Sequence, residues 1–151
     1  MSRNVSTQWV PVSAGNGVNY DAYLALPPSG KGPGLVLFQE IFGVNSHIQG
    51  VTGQYAQDGF VVLVPDLFWR QQRRVDLGYG DADRQAAIGL MKALKPEELQ
   101  SDIQSSVAAL QARPETAGQK SGALGFCLGG RLAYTAAAIT NIRAAVAYYG
   151  G

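Results

Sequence analysis

The only cysteine of this chain stands at the centre of Gly125-Phe126-Cys127-Leu128-Gly129. Residues 120–126 before it read as a short buried strand, and residues 131–139 after it as an Ala-rich helix. That order constrains the fold, because a Gly-x-nucleophile-x-Gly string between strand and helix is the pattern of a nucleophile elbow. The central residue takes a sharp, strained corner, the flanking glycines let the backbones pass without a Cβ clash, and the nucleophile projects above the sheet. A thiolate there faces the N–H groups and positive dipole end of a helix, which lowers its pKa and makes the sulfur nucleophilic. The competing reading of the same five residues is a core cysteine behind a tight turn.

Composition fits the same class. Charged residues make up 15% of the chain, hydrophobic residues 46%, and 19 of the 151 residues are glycine. Such a profile suits one domain of buried parallel strands joined by tight turns. The formal charge of +1 leaves no electrostatic footprint for nucleic acid or an anionic membrane, and neither is expected as a partner. One Cys excludes an intramolecular disulfide, and one His with one Cys does not build a zinc site of the finger type. No metal or cofactor is therefore expected. The N-terminus lacks the apolar core of a signal peptide, and no apolar run approaches the length of a membrane span. The expectation is a soluble protein of a reducing, cytoplasmic compartment.

Residues 7–12 and 18–26 alternate apolar with polar or small residues around Ala14-Gly15-Asn16-Gly17, which predicts an antiparallel hairpin at a sheet edge. Buried strands are predicted at 35–38, 60–64 and 144–149, and helices near 47–58, 81–94 and 95–113. In the last of these, Leu99, Ile103, Val107 and Leu110 share one face and Pro96 sits in the first turn. Strands alternating with helices imply an α/β fold of three layers, its mostly parallel sheet carrying an N-terminal antiparallel hairpin.

Glu40 follows the strand at 35–38 inside Gln39-Glu40-Ile41-Phe42-Gly43-Val44-Asn45. Position alone also allows a capping or loop carboxylate. Together with Gly125-Phe126-Cys127-Leu128-Gly129-Gly130, however, this string resembles the dienelactone hydrolase family of α/β-hydrolases. The hairpin, Val64-Pro65-Asp66 and Tyr148-Tyr149-Gly150 extend the likeness along the whole chain. The resemblance implies Cys127 as nucleophile, Glu40 as the carboxylate partner of its thiol, and the backbone N–H groups of Ile41 and Leu128 as an oxyanion hole. It implies hydrolysis of a lactone or ester through a thioester acyl-enzyme. It also places Arg84 where the family grips a substrate carboxylate, while the accompanying tyrosine of the family is Ile88 here. The alternative for Arg84 is a solvated helix-surface residue.

In this fold the base follows the nucleophile, so His47, the sole histidine, is assigned to capping or loop packing. Trp69, Arg70, Arg73 and Arg74 are read as a solvated loop with one anchoring aromatic rather than a basic binding patch. Of Tyr148 and Tyr149, one is expected in the core and one in the pocket; Tyr149 is the assigned substrate contact. No Asp or His follows Cys127, so residues 1–151 read as a single truncated domain, roughly two-thirds of a family member and incomplete at its C-terminal side. The strand at 144–149 would then be an open edge, inviting self-association or a second polypeptide. Two functions remain. One is a cysteine-dependent lactone or ester hydrolase; the other is a non-catalytic hydrolase-fold module that binds a carboxylated ligand or a protein.

Overall fold

A computed structural model describes residues 4–148. Strands β1 (Ser6–Gly15) and β2 (Val18–Leu26) form the expected antiparallel hairpin. Its turn carries three consecutive positive φ values, at Gly15, Asn16 and Gly17, a conformation that glycine and asparagine reach most readily. The chain continues through β3 (Gly34–Phe38), α1 (Ser46–Gln57), β4 (Val61–Pro65), α2 (Asp81–Lys92), α3 (Pro96–Gln111), a short 3-10 turn (Pro114–Thr116), β5 (Ser121–Phe126), α4 (Leu128–Ile139) and β6 (Ala144–Tyr148). The strands line up in the order β1-β2-β4-β3-β5-β6. The pairs β2–β4 and β1–β2 are antiparallel, whereas β4, β3, β5 and β6 run parallel. The last predicted strand residue, Tyr149, lies outside the described residues.

Alternation along the central strands divides the core in two. Val36, Phe38, Val61, Leu63 and Ala123 face α3 and α4, while Leu35, Leu37, Val62, Val64 and Leu124 face α1. Every residue of β3 and β4 is buried, as a parallel sheet covered on both faces requires. Helix α3 buries Ile103, Val107 and Leu110, three of the four residues on its predicted apolar face, and α4 buries Leu132, Ala133 and Ala136. The small side chains of α4 let it lie close against the sheet. These layers make the α/β-hydrolase-like sandwich anticipated from the sequence. No helix among the described residues is long and apolar enough to cross a membrane.

The loop between β4 and α2 departs from expectation. Instead of a solvated loop with one anchoring aromatic, it is fastened to the body by its arginines. Asp102 of α3, only 1% exposed, accepts two hydrogen bonds from Arg70, at 2.7 and 3.1 Å, and one from Trp69 Nε1 at 3.1 Å. Burial pushes the Asp102 carboxyl up while Arg70 pulls it the other way. Arg70 also lies over the Trp69 ring, which stacks on the buried Tyr20 at 5.4 Å. Arg74 pairs with Asp21 at 2.8 Å and covers Trp9, and Arg73 donates to the Asn19 carbonyl. A formally basic stretch is thereby spent on positioning the loop that leads into α2.

Tyr20 closes this network, its hydroxyl lying 3.1 Å from the Asp102 carbonyl and 2.8 Å from Ser106 Oγ. Burial drives its pKa sharply upward, so it stays a neutral phenol. The substitution Tyr20→Phe keeps the ring stack and removes only these hydrogen bonds. It is expected to cost about 1–2 kcal/mol in a urea melt, the range for a buried hydrogen bond whose partner is left behind. An unchanged midpoint would show the hydroxyl to be energetically idle.

Candidate active site

Cys127 occupies the corner between β5 and α4 with φ of 56° and ψ of −118°, backbone that an L-residue adopts only when its surroundings enforce it. The surroundings are visible in the two flanking glycines. A Cβ on Gly125 would overlap the Gly129 carbonyl and come within 2.7 Å of Gly130 N. On Gly129 it would overlap the Phe38 carbonyl and come within 2.7 Å of the Gln39 oxygen. Strand, corner and helix thus approach each other at backbone contact, and the first turn of α4 rests on the end of β3. The Cys127 N–H donates to Tyr148 O at 2.9 Å, and the Cys127 carbonyl accepts from Gly130 N at 2.9 Å. Leu128, buried, opens α4, where the first N–H groups have no intrahelical acceptor.

The parallel register sets the second member of the site. Phe38 of β3 is paired with Gly125 of β5, so two residues further along each strand direction come Glu40 and Cys127. The two side chains therefore emerge at the C-terminal ends of neighbouring strands, the end where sheets of this kind bind ligands. Gln39, fully buried, fixes the exit from β3: its Nε2 donates to Glu40 O at 3.1 Å and its Oε1 accepts from Leu67 N at 2.9 Å. At Gly43, φ is 85° and a Cβ would overlap the Val75 carbonyl, so the strand-exit loop presses directly on the segment entering α2. Leu77 N donates to Phe42 O across the same contact.

Asn45 caps α1, its Oδ1 accepting from Ile48 N at 3.1 Å, while its Nδ2 donates to Leu77 O at 3.0 Å and lies 3.3 Å from the Tyr79 hydroxyl. That hydroxyl donates to Glu40 Oε1 at 3.0 Å. Tyr79 also packs edge-on to Phe42 with ring centroids 4.5 Å apart.

Among the sequence-assigned residues, Cys127, Leu128, Glu40 and Ile41 meet at these two adjoining strand ends. The Ile41 N–H makes no hydrogen bond among the described residues. Arg84 is exposed on α2, and its guanidinium has no ion pair or hydrogen bond among the described residues. Ile88, one turn later, is half-buried. Tyr149 lies outside the described residues; Tyr148 stacks on Phe126 with centroids 5.0 Å apart. His47 is exposed near the start of α1, its ring edge-on to Tyr79 at 6.3 Å, and the capping belongs to Asn45. Sequence reasoning missed Tyr79, Gln39 and Asn45. Only Asn45 had a signal, an N-cap residue type directly before a helical pattern.

The glycine contacts make a prediction. Gly129→Ala and Gly125→Ala should each destabilise the chain by about 3 kcal/mol or more, at or beyond the upper end for overpacking, because the obstructing atoms are backbone. Gly89→Ala, on α2 with nothing within 4 Å of the added Cβ, should instead stabilise it by about 0.5–1 kcal/mol. Thermal melts of the three variants read the contrast directly.

The family model described as "Dienelactone hydrolase family" matches residues 20–151. A carboxymethylenebutenolidase from a Pseudomonas species is 37% identical over 145 residues, covering 95% of this chain and 60% of its own length. A putative carboxymethylenebutenolidase from a Synechocystis species is 32% identical over 151 residues, 99% of this chain and 61% of its own. The crystal structure of a putative dienelactone hydrolase from Klebsiella pneumoniae subsp. pneumoniae superposes with a TM-score of 0.81 at 30% identity, over 98% of this chain and 61% of that one. The chain thus spans about 60% of the length of the relatives it matches. With the elbow at Cys127, the strand order and a family match over nearly all of its length, this chain belongs to the dienelactone hydrolase family.

Proposed function

We propose that this chain carries the nucleophile of a cysteine-dependent hydrolase of lactones or esters. The observation that supports this most is the strained backbone of Cys127, held at a positive φ by glycine contacts that leave no other use for them. The names of the relatives point to lactones as the substrate class.

In this reading the Cys127 thiolate attacks the substrate carbonyl carbon, forming a carbon–sulfur bond while the carbonyl π electrons move onto oxygen. The backbone N–H groups of Ile41 and Leu128 receive that oxyanion, donors preset before charge develops. Collapse expels the alkoxide oxygen, which takes up a proton, and leaves a thioester that water hydrolyses. Glu40 is the carboxylate partner of the resting thiol. Arg84, exposed and without a partner among the described residues, grips a carboxylate on the substrate, and Tyr149, outside the described residues, is assigned as a substrate contact. With Ile88 in place of a hydroxyl-bearing residue, the grip on the carboxylate rests on the guanidinium, which favours lactones that need no second donor there. The only histidine, His47, faces Tyr79 from α1 and is not the base that resolves the acyl-enzyme.

Mixing the chain with an activated ester should therefore add one acyl group, found on the peptide carrying Cys127 by intact and peptide mass spectrometry, with release much slower than acylation. Cys127→Ala should add none. Equal acylation of the two proteins would sink the assignment of the nucleophile.

Among the described residues, strand β6 stands at one edge of the sheet, with Val146 46% and Tyr148 42% exposed. An edge that is apolar and carries no charged side chain along its length favours pairing with a second copy or another polypeptide. Sedimentation velocity should show concentration-dependent association of the chain, shifted toward monomer by Val146→Lys. Monomer at all concentrations for the unmodified chain would count against it.

A further inference from the structure

We propose that Tyr79 is the positioning residue for the Glu40 carboxylate, its hydroxyl proton being aimed at Oε1 by a polarity that begins at the N-terminus of α1. The inference rests on the reading of Glu40 as the partner of the Cys127 thiol. A backbone N–H only donates, so the hydrogen bond from Ile48 N fixes which end of the Asn45 amide is oxygen. The opposite end must then be the NH2 group, which donates to the Leu77 carbonyl and to the Tyr79 oxygen. With its oxygen accepting there, the Tyr79 hydroxyl sends its proton along the 3.0 Å contact to Glu40 Oε1. The hydrogen bonds therefore run from Asn45 to Tyr79 and from Tyr79 to Glu40, which accepts, a direction set by a capping interaction rather than by free rotation of the hydroxyl.

The ring is held for this task on two sides, by Phe42 at 4.5 Å and by His47 at 6.3 Å, yet Tyr79 remains 49% exposed. Its backbone is equally placed. Gly78 N donates to Asp83 Oδ2 at 2.8 Å, which ties this segment to the first turn of the helix that carries Arg84. Tyr79 thus belongs to the segment that leads into the helix carrying the arginine of the proposed site. A donated hydroxyl proton withdraws part of the carboxylate's negative charge from other neighbours. The thiol is such a neighbour in this reading. Without the Tyr79 proton more of the carboxylate charge acts on Cys127, which slows its reaction as a nucleophile.

The test is a double-mutant cycle on the rate of Cys127 alkylation by iodoacetamide, followed against pH. It is run in a His47→Gln background, which removes the imidazole beside Tyr79 from the titration. Tyr79→Phe keeps the ring contacts and should slow alkylation at neutral pH on the order of threefold to tenfold, the scale of one net intramolecular hydrogen bond. Its pH profile should move upward with an unchanged thermal midpoint. Glu40→Gln should speed alkylation, and adding Tyr79→Phe to it should change nothing further. If Glu40→Gln leaves the profile in place, Glu40 is not the thiol's partner and both readings fall. If Glu40→Gln shifts the profile but Tyr79→Phe does not, or shifts it equally without Glu40, the positioning role alone is overturned.

Discussion

The close approach of Gly129 to the carbonyls of Phe38 and Gln39 is the contact on which the rest of the site depends. It sets the helix that follows Cys127 directly on the end of the neighbouring strand, with no side chain between them. A larger residue would lift α4 by the thickness of a methyl group and carry Leu128 away from the strand-exit loop at Ile41. The parallel register of β3 and β5 then does the remainder. Because Phe38 pairs with Gly125, the two chains leave the sheet level with each other, and Glu40 and Cys127 are delivered to one place by backbone geometry alone.

Delivery to one place is not enough for a carboxylate on a loop, which would otherwise sample many rotamers. Three contacts remove that freedom, each joining the loop after β3 to the segment between β4 and α2. Gln39 reaches Leu67, Gly43 presses on Val75, and Asn45 holds Leu77. The second segment is in turn held to the body by Arg70 on Asp102 and Arg74 on Asp21. The Asp102 carboxyl is raised by burial in spite of Arg70, a sign that desolvation outweighs the attraction. Such a pair adds little net stability, but its removal would leave Trp69 Nε1 without its acceptor and Arg70 with Glu98 alone. Asp66 behaves similarly: burial raises it, and Oδ2 is fixed by Arg74 N at 2.6 Å while Oδ1 has no hydrogen-bond partner among the described residues. Buried carboxylates thus specify the course of this loop.

Much of this was legible in the sequence where the signal is local. The elbow shows as glycines around a single cysteine, α3 as apolar residues three and four apart, and the hairpin as turn chemistry between alternating strands. Glu40 and Ile41 were found through a motif. Tyr79 was not, because a tyrosine between two glycines looks like an ordinary loop residue, and its partner is 39 positions away. The arginines at 70, 73 and 74 misled for a related reason: charge is visible in sequence, but Asp102, Asp21 and the Asn19 carbonyl are brought to them only by the fold. Arg84, by contrast, looks the same in sequence and structure, an exposed cation on an amphipathic helix. Its role is decided by what binds and not by what it touches here.

Beyond the ladder that pairs β5 with β6, a hydrogen bond ties the corner at Cys127 to this mostly exposed strand. The N–H of Cys127, the residue under greatest backbone strain, is satisfied by the carbonyl of Tyr148, at the end of β6. A positive φ persists only while its surroundings over-determine it. Two of those constraints, Gly125 and Gly129, lie deep in the fold, but this third one belongs to an edge strand with four of its five residues exposed. Fraying of β6 would release the Cys127 N–H to water and loosen the corner that holds the thiol. Anything that pairs with the outer side of β6 or covers Val146 and Tyr148 would therefore stiffen the elbow, without touching the cysteine. Among the described residues, the backbone geometry at Cys127 and the covering of β6 are one problem.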